Sequence, residues 1–481
     1  MKLKVYAFLF LWTSLLACSS PENPPGVPSE KPNILLIAID DLNDWIGVLG
    51  GHPQAQTPNI DRLAARGLTF TNAHCQSPVC NPSRASMMTS LYPATTGIYF
   101  LNPPIEASEV ALRNKVMPRR FSEEGYYVTA AGKLFHNAYQ QNETYIPNYG
   151  GSFGGFGPLP EEKLSPYPGL YLWDWGVYPA QEADMPDHQI AEWAVNQLET
   201  KRDTPLWMGV GFYRPHVPQY APQKWFDLYP LDSIELPAYL ADDLTDISEY
   251  GKNITRLEHV HPDFGWVVKN DQWKPLVQSY LACVSFVDEQ VGKVLEALEK
   301  SAYAENTFMV LYSDHGFHLG QKDRFAKRSL WEDGTRIPLI IAGPGIPQGE
   351  KRNQPVQLLD IYPTLLALAG LEADSLHEGR SLIPLLQKSD VDWPYYARTS
   401  FGPGNYAIIS EQFRYIHYQD GTEEFYDRSN DLYEWHNLIQ REDYAILIDQ
   451  HRAQLPEREH PILGEGSTGH KSYAASEALL H

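Results

Sequence analysis

Cysteine is scarce in this chain: four in 481 residues, at Cys18, Cys75, Cys80 and Cys283. No C-x-x-C pair and no disulfide framework is present, so a buried apolar core must hold the fold. A single Cys75–Cys283 bridge stays open. Basic residues are also few, 38 Lys and Arg against 60 Asp and Glu, for a formal net charge of −22. That balance argues against nucleic-acid binding, which needs a basic face. After the first seventeen residues there is no second hydrophobic span and no internal repeat. What remains is a globular composition, long enough for one large domain and a smaller one.

The N-terminus reads as a targeting segment. Met1-Lys2-Leu3-Lys4 is basic, and the apolar run of residues 5–17 that follows is shorter than the roughly 20 residues that span a bilayer. The run ends in Leu15-Leu16-Ala17-Cys18, which resembles a bacterial lipobox. Residues 1–17 are then a signal peptide and Cys18 the lipidated N-terminus. Residues 18–31, rich in Pro and Ser, are a tether. An ordinary secretory signal is the alternative. The membrane is met through the N-terminal lipid only, in a bacterial cell envelope. Ser19 fits an outer-membrane location facing the periplasm or the cell surface.

Residues 34–39, Ile-Leu-Leu-Ile-Ala-Ile, form a continuous apolar run, as expected of a parallel strand buried on both faces. Asp40 and Asp41 stand at its end. A second run, residues 308–312, ends at Ser313-Asp314-His315-Gly316. Acidic residues at strand C-termini are the arrangement of an α/β sheet, whose ligands gather at that edge. Further strands are expected at 127–130, 206–212 and 338–342, alternating with helices over 59–66, 187–198 and 278–298. The fold class is α/β, a large, mixed, mostly parallel sheet flanked by helices over residues 32–390. Residues 137–186, rich in Gly, Pro, Tyr and Trp, read as a long surface loop. Trp173 and Trp175 within it suit stacking on sugar rings, or plain core. Residues 391–481 read as a smaller C-terminal subdomain. Its short antiparallel strands fall at 406–410, 413–418 and 424–427, with a turn at Asp420-Gly421 and a helix over 441–455.

Asp40, Asp41 and Asp314 are the hard oxygen donors that calcium prefers, and crowding them is unfavourable unless a cation compensates. An Asp-Asp pair after a strand also serves as a turn or helix cap. Cys80 opens the run Cys80-Asn81-Pro82-Ser83-Arg84. Pro82 suits the first turn of a helix over 83–91. That places Cys80 at a helix N-terminus, where backbone N–H groups favour an anion. A buried inert thiol is the alternative.

The C-x-P-S-R frame at 80–84, with Asp40-Asp41 upstream and Asp314-His315 downstream, resembles the type I sulfatases. The resemblance runs from about residue 31 to 438. It is closest to the iduronate-2-sulfatase-like subgroup, on Gly132-Lys133-Leu134-Phe135-His136, Tyr213-Arg214-Pro215-His216-Val217-Pro218 and Ser313-Asp314-His315-Gly316. It implies an alkaline-phosphatase-like fold. It implies that a formylglycine-generating enzyme oxidises Cys80 to formylglycine (3-oxoalanine), whose hydrate is the nucleophile. One Ca2+ is implied at Asp40, Asp41, residue 80, Asp314 and His315. His315 departs from the Asn or Gln of most type I members but is shared with the subgroup. Thr89-Ser90 stands where Thr-Gly is usual. Arg84 is implied to offset the charge of the metal side, and Lys133 and Lys327 to bind sulfate. His136 would take a proton from residue 80, and His216 would protonate the leaving alcohol. Each Lys or His has a plainer alternative, a solvated lysine or a core histidine.

The implied function is removal of sulfate from a sulfated oligosaccharide or polysaccharide of ulvan, carrageenan or glycosaminoglycan type. Two others stand beside it: a phosphodiester or phosphonate ester hydrolase of the same superfamily, and a non-enzymatic glycan-binding surface lipoprotein. With a charge of −22, short oligosaccharides are expected to be preferred over intact polymer, because a few site cations do not offset the field along a whole polyanion.

Overall fold

The computed structural model describes residues 31–136, 144–254 and 261–478. The leader with Cys18, and residues 137–143 of the expected loop, lie outside the described residues. Among the described residues no helix is long and apolar enough to cross a membrane.

The fold is built on strands β1 (Asn33–Ile39), β2 (Gly67–His74), β3 (Tyr127–Gly132), β4 (Asn148–Tyr149), β5 (Trp175–Val177), β6 (Leu206–Phe212), β7 (Gln219–Ala221), β8 (Thr307–Ser313), β9 (Arg336–Ala342), β10 (Glu350–Arg352) and β11 (Val356–Gln357). The large sheet has the order β10-β2-β9-β8-β1-β6-β3-β4, with β11 also on β2. It is parallel except for β9, which runs antiparallel to both β8 and β2. β5 and β7 form a separate parallel pair.

Alternate residues of β1 serve two cores. Leu35, Ile37 and Ile39 face the helices Pro58–Ala65, Pro186–Glu199 and Trp273–Lys300. Ile34, Leu36 and Ala38 face the helices Cys80–Thr89, Met117–Glu123 and Ile361–Leu368. Both faces are therefore covered, which is why the strand reads as an unbroken apolar run. Cys75 lies in the second core and Cys283 in the first. Both are buried free thiols with the sheet between them, so the bridge left open by the sequence is absent. Trp173 and Trp175 are likewise core residues. Trp173 stacks near Phe317 and Trp175 near Tyr167, so neither offers a face to a sugar.

Strands β12 (Ala397–Ser400), β13 (Tyr406–Ile409), β14 (Phe413–His417) and β15 (Glu423–Asp427) form the small antiparallel sheet in sequential order. The helix Ala445–Arg452 packs on it, and a further helix, Thr468–Glu477, ends the described chain. The small sheet shares a core with the large domain: Val79, Phe100, Leu330 and Trp331 pack with Ala397, Ile409 and Tyr426. Buried Arg414 on β14 pairs with Glu332 and Glu434, tying the sheet to the segment just before β9.

The exit of β3 is the tightest point. Gly132 has φ +73°, and a Cβ there would lie 1.9 Å from the Gly211 carbonyl oxygen. Gly125 has φ +85° with nothing within 4 Å. Gly132→Ala is therefore expected to cost about 3 kcal/mol or more, from the backbone and the overpacking together, and Gly125→Ala only about 1 kcal/mol. Urea unfolding of the two variants measures the difference, and equal losses would contradict the close approach.

Candidate active site

Four neighbouring strands, in the order β8-β1-β6-β3, end level with one another. Ile39 is in register with both Ser313 and Phe212, and Gly132 with Gly211. The next residues of each strand therefore meet at one edge: Asp314 and His315, Asp40 and Asp41, Arg214 to His216, and Lys133 to His136. The helix Cys80–Thr89 points its first residue at this edge. Lys327 arrives on the segment after β8. All ten residues singled out in the sequence thus gather in one place.

The site is largely buried. Asp40, Asp41, Cys80, Arg84, Lys133, Asp314 and His315 are buried. Arg84 Nε donates to Asp314 Oδ2 at 2.7 Å, Nη2 donates to Asp40 Oδ1 at 3.1 Å, and Nη1 donates to the Lys133 carbonyl. Lys133 Nζ donates to Asp40 Oδ2. Lys327 Nζ donates to Asp41 Oδ1 at 2.6 Å and lies 3.2 Å from Cys80 Sγ. His315 Nε2 is also 3.2 Å from that sulfur, and 3.4 Å from Asp41 Oδ1. His216 Nε2 stands 3.9 Å from Asp41 Oδ2.

Charge governs the protonation of these groups. Burial alone would push the Cys80 thiol up, yet Lys133, Lys327 and His315 together hold it well below the usual thiol range. Burial also opposes ionisation of Asp40, but Lys133, His216 and Arg84 keep it far below the usual carboxylate range. Asp314 behaves differently: burial pushes it up to about 6 against Arg84 and His315. Against burial, Asp314 draws His315 up to about 9. A bound cation competes with those protons, because carboxylate and imidazole ligands bind deprotonated.

The donor set fits a hard divalent cation. Ligand atoms of Asp40, Cys80, Asp314 and His315, and of Asp40, Asp41, Cys80 and His216, lie within 4.8 Å of one another. Asp41 Oδ2 is buried without a hydrogen-bond partner among the described residues, a costly arrangement for a carboxylate unless a cation meets it. Three carboxylates suit an oxygen-seeking ion. A thiolate is a softer donor and suits such an ion less well.

Other contacts brace these residues, and among the partners Tyr280, Asp187 and Phe156 carry no local sequence signal. Asp41 adopts φ +62°, a left-handed conformation tolerated by Asp. Tyr280, in the middle of the long helix Trp273–Lys300, braces that turn: its hydroxyl donates to the Asp41 carbonyl at 2.8 Å and accepts from Asn43 N at 2.9 Å. Asp187 accepts from the backbone N–H groups of Tyr213 and Arg214 at 2.7 and 2.8 Å, fixing the segment that carries His216. Ser83 Oγ donates to the Asp314 carbonyl at 2.5 Å. The Phe156 ring lies 4.5 Å from that of His216, and Lys133 Nζ lies 4.9 Å from its centroid.

Comparison with known proteins gives a consistent picture. A family model described as "Sulfatase" matches residues 32–371, and one described as "N-sulphoglucosamine sulphohydrolase, C-terminal" matches residues 320–460. A sulfatase of Formosa agariphila is 43% identical over 477 residues, covering 94% of this chain and 92% of that protein. Human iduronate 2-sulfatase is 30% identical, covering 82% of this chain and 81% of its own. An ulvan-active sulfatase of Formosa agariphila is 29% identical, covering 92% and 84%. A solved structure of a 2-O GAG sulfatase superposes with a TM-score of 0.70 at 24% identity, covering 89% of this chain and 91% of that one; at this identity it speaks for the fold alone.

Burial pushes the Asp187 carboxyl up to about 6, against Arg214 and the two backbone donors. Between the ordinary carboxylate range and that value, the folded chain keeps a proton that the unfolded chain has released. The group therefore favours folding most at acid pH. That contribution is lost as pH rises from about 4 to about 6, by about 3 kcal/mol. Asp187→Asn is expected to shrink the fall in stability between pH 4 and 7 by about that amount, read from urea unfolding at each pH. An unchanged fall would contradict the raised value.

Proposed function

The chain belongs to the sulfatase family and is a sulfuric ester hydrolase, and we propose that it removes sulfate from a sulfated saccharide, with residue 80 as formylglycine and Ca2+ held by Asp40, Asp41, Asp314 and His315. The observation that carries this reading is the convergence of Lys327 Nζ and His315 Nε2 on Cys80 Sγ, each at 3.2 Å, over three buried carboxylates. The saccharide class is supported by relatives named iduronate 2-sulfatase and ulvan-active sulfatase. Lipidation at Cys18, and with it a place in the cell envelope, is part of the same proposal.

When present, the formylglycine hydrate supplies a hydroxyl nucleophile for sulfur, and the calcium ion supplies positive charge at the reacting oxygens. The chain's own residues do the rest. Buried Lys133 and partly buried Lys327 are cations already aimed at the pit, and they bind the sulfate oxygens. Cations fixed in advance where charge builds stabilise it without reorganisation. Arg84 locks Asp40 and Asp314 into one geometry and balances their charge. His216 Nδ1 donates to the Val217 carbonyl at 2.5 Å, which turns Nε2 toward the pit. From there it gives a proton to the leaving oxygen. His136 acts on the residue 80 side chain and moves the proton at that atom. The Phe156 ring packs on His216 and Lys133.

Protein produced with a formylglycine-generating enzyme is expected to show the Cys80 peptide about 18 Da lighter by mass spectrometry. Such protein should release sulfate from sulfated oligosaccharides, and Cys80→Ala should release none. Full turnover by Cys80→Ala would overturn the mechanism. His216→Ala should cost about 10²–10⁴-fold on an alkyl sugar sulfate, whose leaving group needs a proton, and far less on an aryl sulfate with an acidic phenol. Equal losses on both would assign His216 to binding.

A further inference from the structure

The segment that brings Lys327 to the site also brings an arginine that the reaction does not use. Arg328 is 7% exposed and has φ +72°, a backbone that a non-glycine residue holds only where its surroundings enforce it. Its backbone N–H donates to the Pro78 carbonyl at 3.1 Å, two residues before Cys80. Its Nη2 donates to Thr468 Oγ1 at 2.8 Å. Its Nη1 is buried with no hydrogen-bond partner among the described residues. No carboxylate among them pairs with it either, whereas Arg84, Arg414 and Arg428 each meet one. Its neighbour in the chain, Lys327, lies with Nζ 3.2 Å from Cys80 Sγ, so Arg328 stands on the segment that borders the reacting centre. Burial draws it down to about 10, so it stays charged at neutral pH.

Thr468 opens the helix Thr468–Glu477, which lies beyond the two matched spans, 32–371 and 320–460. That helix is fastened by Ser472 Oγ on the Ile254 carbonyl and Tyr473 OH on the Pro403 carbonyl. The grip on Arg328 is thus supplied by a part of the chain outside the family models. A buried guanidinium with no counter-charge is costly. Its planar fork matches a carboxylate or sulfate, and a small alcohol poorly.

We propose that Arg328, held by Thr468, forms a second oxyanion subsite beside the sulfate pocket, and that it binds the carboxylate or a further sulfate of the same saccharide. This rests on the saccharide reading given above. It makes the enzyme selective for sugars that carry two anionic groups, of which one is cleaved and the other is held.

The test compares wild type, Arg328→Gln, Arg328→Lys and Thr468→Val on four substrates: a monosulfated neutral disaccharide, a monosulfated hexuronate disaccharide, a disulfated neutral disaccharide and an aryl sulfate. Thermal melting first establishes that each variant is folded. Arg328→Gln and Thr468→Val should lower kcat/KM on at least one doubly anionic sugar about tenfold more than on the monosulfated neutral one, chiefly through KM, and Arg328→Lys should recover part of the loss. A loss confined to the hexuronate identifies a carboxylate, and one confined to the disulfated sugar identifies a sulfate. Equal fractional losses on all four substrates would overturn the subsite and leave Arg328 a structural role. Wild-type enzyme that hydrolyses the aryl sulfate but none of the sugars would overturn the saccharide reading itself, a separate result.

Discussion

Three carboxylates buried at one sheet edge cannot remain together without positive charge, and the arrangement of this protein follows from that constraint. Asp40, Asp41 and Asp314 are all inaccessible to water. Arg84 and Lys133 meet Asp40, Arg84 meets Asp314, and Lys327 meets Asp41. Arg84 and Lys133 are buried at the expense of their own hydration, and Lys327 partly so, so neither side of these pairs is stable without the other. The same set depresses the Cys80 thiol. The charges that balance the carboxylates therefore also act on residue 80, the nucleophile of the proposed mechanism, and face the place proposed for the sulfate. Asp41 Oδ2, buried and without a hydrogen-bond partner among the described residues, is the part of the balance that the protein's own cations leave unfinished.

The rest of the fold keeps this pit in register. Parallel pairing puts the ends of β8, β1, β6 and β3 level, so residues far apart in the chain meet without long side chains having to reach. Lys327 comes from a segment with little regular structure and needs fastening from outside. Lys322 pairs with Asp243 at 2.6 Å, Arg414 pairs with Glu332 and Glu434, and Trp331 donates to Glu424 at 2.8 Å. The small C-terminal sheet thus acts on the active site by holding the lysine segment. It does so through buried charges, which lose most when one partner is removed.

The legible part of the site was the part with local signals. Asp40, Asp41 and Asp314 end unbroken apolar runs, and such runs mark strands of a covered parallel sheet. Cys80 sits in a five-residue frame. Lys133, His136, His216 and Lys327 were found by resemblance in order along the chain, since a single lysine or histidine looks the same in a core, on a surface or in a site. Tyr280, Asp187 and Phe156 were not legible. Tyr280 reads as one more apolar position of a helix, and its partner Asp41 is 239 residues away. β2 was missed because Thr69, Thr71 and Asn72 break its apolar pattern, although it lies inside the sheet. The reversed direction of β9 has no local signature, because strand direction depends on the path of the connection. Trp173 and Trp175 left two readings open, and packing against Phe317 and Tyr167 decided for the core.

The central claim is that the buried carboxylates are completed by one divalent cation. Calorimetric titration of calcium into chelator-treated, formylglycine-bearing protein, paired with thermal melting, tests it most directly. The account predicts one ion bound per chain, a rise in Tm on binding, restored sulfate release, and loss of all three in Asp41→Asn. No binding and no change in Tm, in protein that hydrolyses sulfate esters at its full rate without metal, would contradict it.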